Sequence, residues 1–134
     1  MFNGMDISAT ALTSESLWMD TIANNLANAN TSSSANGTPY RQESVAFSAI
    51  APTAASPAGN GVRVTKIMLS PAPFATVYDP TSPYANAQGN IETSNVNLPE
   101  QMVNMTEATQ SYQANASAFN ADKTMILKAL TIGV

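Results

Sequence analysis

Nine carboxylates are the only side chains in this 134-residue chain that could serve as acids or bases near neutral pH, because it has no histidine and no cysteine. They are Asp6, Glu15, Asp20, Glu43, Asp79, Glu92, Glu100, Glu107 and Asp122. Without an imidazole or a thiol, neither a Ser-His-Asp nor a Cys-His arrangement can be built, and zinc sites of the Cys/His kinds are excluded. The carboxylates are scattered and follow no calcium-loop spacing, so no metal or other cofactor is expected. Glu100 and Glu107 lie two helical turns apart on one side, but about 10 Å of rise separates them and no pocket for a paired-carboxylate hydrolase is indicated. Five basic residues in a chain of net charge -4 leave no electrostatic footprint for nucleic acid. The Tyr112 phenol falls in an apolar stripe and reads as packing.

What remains is the chemistry of amides and apolar contact. Asn24, Asn25, Asn28 and Asn30 crowd one segment of helical pattern, where each costs up to ~0.7 kcal/mol against alanine. Asn28 and Asn30 fit the role of helix terminators. Asn24 and Asn25 are expected to hydrogen-bond laterally to another subunit, since amides donate and accept without desolvating a charge.

The elements that carry these residues predict an α+β chain with long helices at both ends and a small β-rich middle. Met5, Leu12, Met19 and Leu26 recur at seven-residue spacing, with Ala9, Ser16 and Ala23 beside them, over a helix from about residue 4 to about residue 29. Leu98, Met105, Tyr112, Phe119 and Ile126 repeat that period in a second helix, with Met102, Ala116 and Leu130 interleaved. Asn97 can cap it, Pro99 suits its first turn, Glu100 completes a capping box, and Gly133 is a natural stop. Residues 1–31 and 97–134 are expected to pair as one discontinuous coiled-coil domain, with residues 32–96 forming a loop and β-rich outer region. Acids near the start, Asp6 and Glu15, and bases near the finish, Lys123 and Lys128, predict an antiparallel pair with both ends level. Between the helices, Val45, Phe47 and Ala49 alternate as a strand, residues 62–67 form another, and prolines confine residues 74–78 to an edge role. Pro57 and the turn formers of residues 28–39 make connections, and residues 89–96 offer one more short strand.

No run of apolar residues is long enough to span a membrane, and a cleaved leader is not expected. The helices also lack the Lys- and Arg-rich polar faces of membrane-inserting amphipathic helices.

Two motifs carry a resemblance. Ala23-Asn24-Asn25-Leu26-Ala27-Asn28-Ala29-Asn30-Thr31 resembles the N-terminal signature of flagellar rod, hook and hook-associated proteins, and Gly37-Thr38-Pro39-Tyr40-Arg41 that of their shorter proximal-rod subgroup. Glu100-Gln101-Met102-Val103-Asn104-Met105, Ser111-Tyr112-Gln113-Ala114-Asn115 and Ile132-Gly133 are similar to the C-terminal signature of the same proteins. Gln110, Ser82 and Asn90 depart from it, standing where arginine, histidine and an aromatic are usual.

The resemblance implies a structural, non-enzymatic subunit of the proximal rod, or alternatively of another axial segment such as distal rod, hook or junction. It implies export through the flagellar type III apparatus, assembly in the periplasm with itself, basal-body base and distal rod subunits, and terminal helices forming an inner tube around the export channel. The residues expected at subunit interfaces are Met5, Leu12, Met19, Asn24, Asn25, Leu26, Met102, Met105, Tyr112, Phe119, Ile126 and Leu130.

Overall fold

A computed structural model of the chain describes residues 2–32, 37–52 and 59–132. Residues 33–36, Pro57 and Gly133, all read above as turn or stop signals, lie outside the described residues. Two helices, α1 (Phe2–Ala27) and α2 (Leu98–Ile132), flank four strands. Strands β1 (Glu43–Ala49) and β2 (Val62–Leu69) form one antiparallel two-stranded sheet, and β3 (Ala75–Tyr78) and β4 (Asn90–Thr93) form a second. This is the α+β arrangement expected from the sequence.

Local chemistry accounts for the helix ends. The Asn97 carbonyl receives the first intrahelical bond of α2, from Gln101 N at 3.0 Å, while its side-chain Oδ1 accepts from Glu100 N at 3.4 Å. Asn28 closes α1 by donating both its backbone N, at 3.1 Å, and its Nδ2, at 2.9 Å, to the Asn24 carbonyl. The terminator role read for Asn28 therefore has a specific bond behind it.

Three contacts define how the helices pair. Gly4 faces the Asp122 carboxylate, Asn115 Nδ2 donates to Glu15 Oε1 at 2.8 Å, and Asn25 Nδ2 donates to Gln101 Oε1 at 3.0 Å. Ascending numbers on α1 meet descending numbers on α2, so the pair is antiparallel, as expected. The ends are not level, however. With Gly4 opposite Asp122, the last eight or so residues of α2 run about 12 Å past the start of α1. Nor do charges set the alignment: Glu15 meets an amide, and Lys128 lies on the projecting end.

The packing seam also differs from the apolar rows read in the sequence. On α1 the row through the three contacts is Gly4, Ser8, Ala11, Glu15, Ile22 and Asn25, continued by Ala29 just past the helix end, and it is buried or half-buried throughout. Met5, Leu12 and Met19 flank it half-buried, and Leu26 is 41% exposed. On α2 the residues placed against α1 are Gln101, Asn115 and Asp122, with Ala108 buried in the same row, while Met105, Phe119 and Ile126 are half-buried and Tyr112 is exposed. Gln101, Ala108, Asn115 and Asp122 come three positions after members of the apolar row, in a 4-3 heptad. Of the residues expected to interleave four positions after, Met102 and Leu130 are exposed and Ala116 is half-buried.

A second stripe of α1 faces the first hairpin. The Thr10 hydroxyl accepts from Val62 N at 3.2 Å, Ser14 Oγ donates to the Val62 carbonyl at 3.4 Å, and Trp18 meets Phe47 edge to face at 5.7 Å. Gly61 makes this approach possible. Its φ is +102°, and a Cβ there would collide with the Thr10 hydroxyl. Gly61→Ala should lower unfolding free energy by about 1–3 kcal/mol, read as a lower urea midpoint. Adding Thr10→Ala should recover only part of that loss, because the backbone strain remains.

Among the described residues the buried apolar side chains are Ile22, Ala29, Pro39, Ile91 and Ala108, and the buried polar ones are Ser8, Ser14, Thr21, Asn25, Ser94 and Gln101. With so little apolar surface removed from water, the arrangement of elements rests heavily on hydrogen bonds.

Candidate functional site

Among the described residues the most heavily hydrogen-bonded side chain is Asn25, which is 1% exposed. Its Nδ2 donates to the Glu43 carbonyl at 2.7 Å and to Gln101 Oε1 at 3.0 Å. Its Oδ1 accepts from Glu43 N at 2.9 Å and from the Tyr40 hydroxyl at 2.9 Å. Two donors and two acceptor sites are all that a carboxamide has, so its capacity is filled. One amide thus ties α1 to the start of β1, to α2 and to the loop before β1. Burial, and to a lesser degree the Glu43 carboxylate, push the Tyr40 phenol up, which keeps it a donor.

This overturns the expectation that Asn25 bonds to another subunit. A buried amide with four intrachain partners has nothing left to offer a neighbour. Asn24, one residue before it, is exposed and stays available.

Around the amide the connecting segments are clasped by further polar bonds. Gln42 N donates to Asn95 Oδ1 at 2.7 Å, and Ser94 N donates to the Thr31 carbonyl at 3.1 Å. Arg41 donates to the Ser70 and Ala72 carbonyls, both at 2.9 Å, and stacks over the Phe74 ring at 4.2 Å from its centroid. Tyr40, Arg41 and Gln101 all belong to the signature segments, but their part in this joint was not legible. Their partners lie far away in the sequence, and neither periodicity nor composition links them.

Beyond the joint, the terminal helices present apolar side chains outward. Leu17, Leu26, Met102, Val103, Tyr112, Met125, Leu127, Leu130 and Ile132 are all exposed. Met5, Leu12, Met19, Met105, Phe119 and Ile126 are half-buried. In the single chain the expected interface set is thus half-covered at these six positions, and Leu26, Met102, Tyr112 and Leu130 face solvent.

Of the ionisable groups at the helix pair, Glu15 has a buried oxygen. Glu15 Oε2 is buried without a hydrogen-bond partner, while Oε1 takes the bond from Asn115. Burial pushes the Glu15 carboxyl up, opposed by that bond. Folded chain then holds this proton more tightly than unfolded chain, so stability falls as pH rises from the ordinary carboxyl value through the raised one. A small decline over that window, abolished in Glu15→Gln, should appear in urea unfolding series from pH 4 to 7. A rise with pH in the parent that Glu15→Gln removes would contradict the assignment.

Among the described residues no group of three or more acidic side chains converges to hold a metal ion, and no helix is long and apolar enough to cross a membrane. The geometry is that of a structural subunit: a rigid polar joint and two long helices with uncovered apolar faces.

Comparison with known proteins gives that description a class. Residues 5–32 match the family model for flagella basal body rod protein, and residues 87–132 match that for the C-terminal part of the flagellar basal body rod FlgEFG proteins. The first match covers most of α1 and the second covers β4 and α2. The chain is 42% identical to the flagellar basal-body rod protein FlgC of Bacillus subtilis, over 98% of this chain and 97% of that protein. It is 41% identical to FlgC of Escherichia coli O6:H1, over 99% and 98%, and 35% identical to FlgC of Borreliella burgdorferi, over 98% and 97%. The chain belongs to the FlgC family of flagellar basal-body rod proteins. It is a structural protein of the bacterial flagellum and not an enzyme.

Proposed function

We propose that the chain polymerises through the outward faces of its terminal helices into the proximal rod, a hollow shaft that transmits torque and surrounds the export channel. The observation that carries this reading is the division of labour on each helix. The seam between α1 and α2 is filled largely by small and polar residues, while Leu26, Met102, Tyr112 and Leu130 remain exposed and Met5, Leu12, Met19, Met105, Phe119 and Ile126 only half-covered. Large side chains left in this state on a structural subunit are an interface waiting for its partner. Asn24 adds an exposed amide at the end of the same helix. The partners are further copies and other rod proteins, after passage through the flagellar type III apparatus into the periplasm.

Electron cryomicroscopy of basal bodies containing the chain tests the proposal. Both helices should run along the shaft and line its channel, with the two hairpins outside them. Hairpins lining the channel, or a chain lying outside the shaft, would overturn it.

A further inference from the structure

The outer face of α1 forms the floor of an open trough of about 850 Å³, walled by β2 on one side and by Tyr112 of α2 on the other. Along the floor, Thr13, Leu17 and Asp20 follow one another at helical spacing, and all three are exposed. The C-terminal part of α2 carries Lys123, level with the start of α1, and Leu127 and Leu130 on its projecting turns, spanning the same seven residues, and these too are exposed. Read in opposite directions the two triplets correspond: Asp20 with Lys123, Leu17 with Leu127, Thr13 with Leu130. An acid meets a base, and two leucines, 39% and 54% exposed, meet each other. Beyond them Arg63, on the trough wall, is placed near the last carbonyls of the incoming helix, where a cation is favoured.

From this correspondence we infer that the trough receives the projecting α2 end of a second copy of this chain. The inference rests on the polymer reading above and names its contact. Orientation supports a second copy in particular. The incoming helix runs antiparallel to α1, and therefore parallel to the receiving copy's own α2, so both copies point the same way. Donor end and receiving trough are different surfaces, which makes the contact heterologous and able to repeat along a shaft without closing. In the intrachain pair Asn25 meets Gln101, whereas in the proposed contact Asp20 meets Lys123. That difference in level is about 17 residues, or an axial offset near 26 Å.

Because the chain has no cysteine, introduced pairs report without background. Leu17→Cys with Leu127→Cys, and separately Thr13→Cys with Leu130→Cys, would be expressed as the only copy in motile cells. Each pair would then be cross-linked by mild oxidation or with a short bifunctional maleimide. Two pairs are used so that a substitution that blocks assembly in one does not remove the test. A band of twice the chain's mass in either assembled pair, several-fold above each single-cysteine variant and above Leu17→Cys with Leu69→Cys, is the expected result. Assembled, motile cells without that band overturn the trough contact while leaving polymerisation intact. Cross-linking to a protein of different mass overturns the choice of a second copy. Chain that is folded and exported but never found in basal bodies, in the parent as well as the variants, overturns the underlying polymer reading instead.

Discussion

Asn25→Ala should lower the unfolding free energy of the subunit by about 3–6 kcal/mol, measured by urea denaturation of the purified chain. Removing the amide strands the Glu43 N–H and C=O and the buried Gln101 side chain, and each unsatisfied buried group costs about 1–3 kcal/mol. Tyr40 is only half-buried and can turn to water, so it adds little. A loss of this size is a large share of the roughly 5–15 kcal/mol that holds a domain together. Because Asn25 and Gln101 bond each other, Asn25→Ala combined with Gln101→Ala should be less damaging than the sum of the two, with a coupling of about 1 kcal/mol or more. Additive losses would show that the amide does not link the helices. Asn25→Asp preserves the shape and both accepted bonds, yet aims a carboxylate at the Glu43 carbonyl. It should also destabilise strongly, and part of the loss should return in acid as the carboxyl takes up a proton.

Ile126→Ser with Leu130→Ser should have the opposite profile: a nearly normal subunit that cannot build a rod. Leu130 is 63% exposed and Ile126 half-exposed in the single chain, so the free protein should lose about 1 kcal/mol at most. If assembly buries both, each substitution removes about 2–5 kcal/mol at that contact, repeated in every subunit. Cells carrying only this variant should secrete it, lack a complete rod by electron microscopy of isolated basal bodies, and fail to swim in soft agar. Normal swimming would contradict burial of this end of α2 in the shaft. Accumulation in the cytoplasm would instead show that the export machinery reads it.

The contrast between these two variants follows what could and could not be read from residues alone. Strands β1 and β2 were legible because Val45, Phe47 and Ala49 alternate and because Pro and Gly bound them. Helix α2 was legible from Asn97, Pro99 and Glu100. The helix seam was not, because a search for large apolar side chains passes over Ser8, Ala11, Gln101, Ala108 and Asn115. Small and polar residues let two helices approach closely, and a hydropathy pattern cannot distinguish them from a solvated face. The rows that did stand out, such as Met5, Leu12, Met19 and Leu26, flank that seam. The crowding of asparagines was equally visible, but its meaning was misassigned for Asn25. Its partners, Tyr40, Glu43 and Gln101, become neighbours only once α2 has folded back along α1.

The four bonds of Asn25 itself run to a carboxamide, a phenol and backbone groups, with no ionised side chain among the bonding atoms. Dissolved ions screen charges, and their screening length falls from about 30 Å at 0.01 M to about 3 Å at 1 M. A clasp without charges gives them nothing to screen. The coupling between Asn25 and Gln101 should therefore be the same in dilute buffer and in concentrated salt. In a flagellar rod protein, that insulation keeps the link between the two helices constant across salt concentrations.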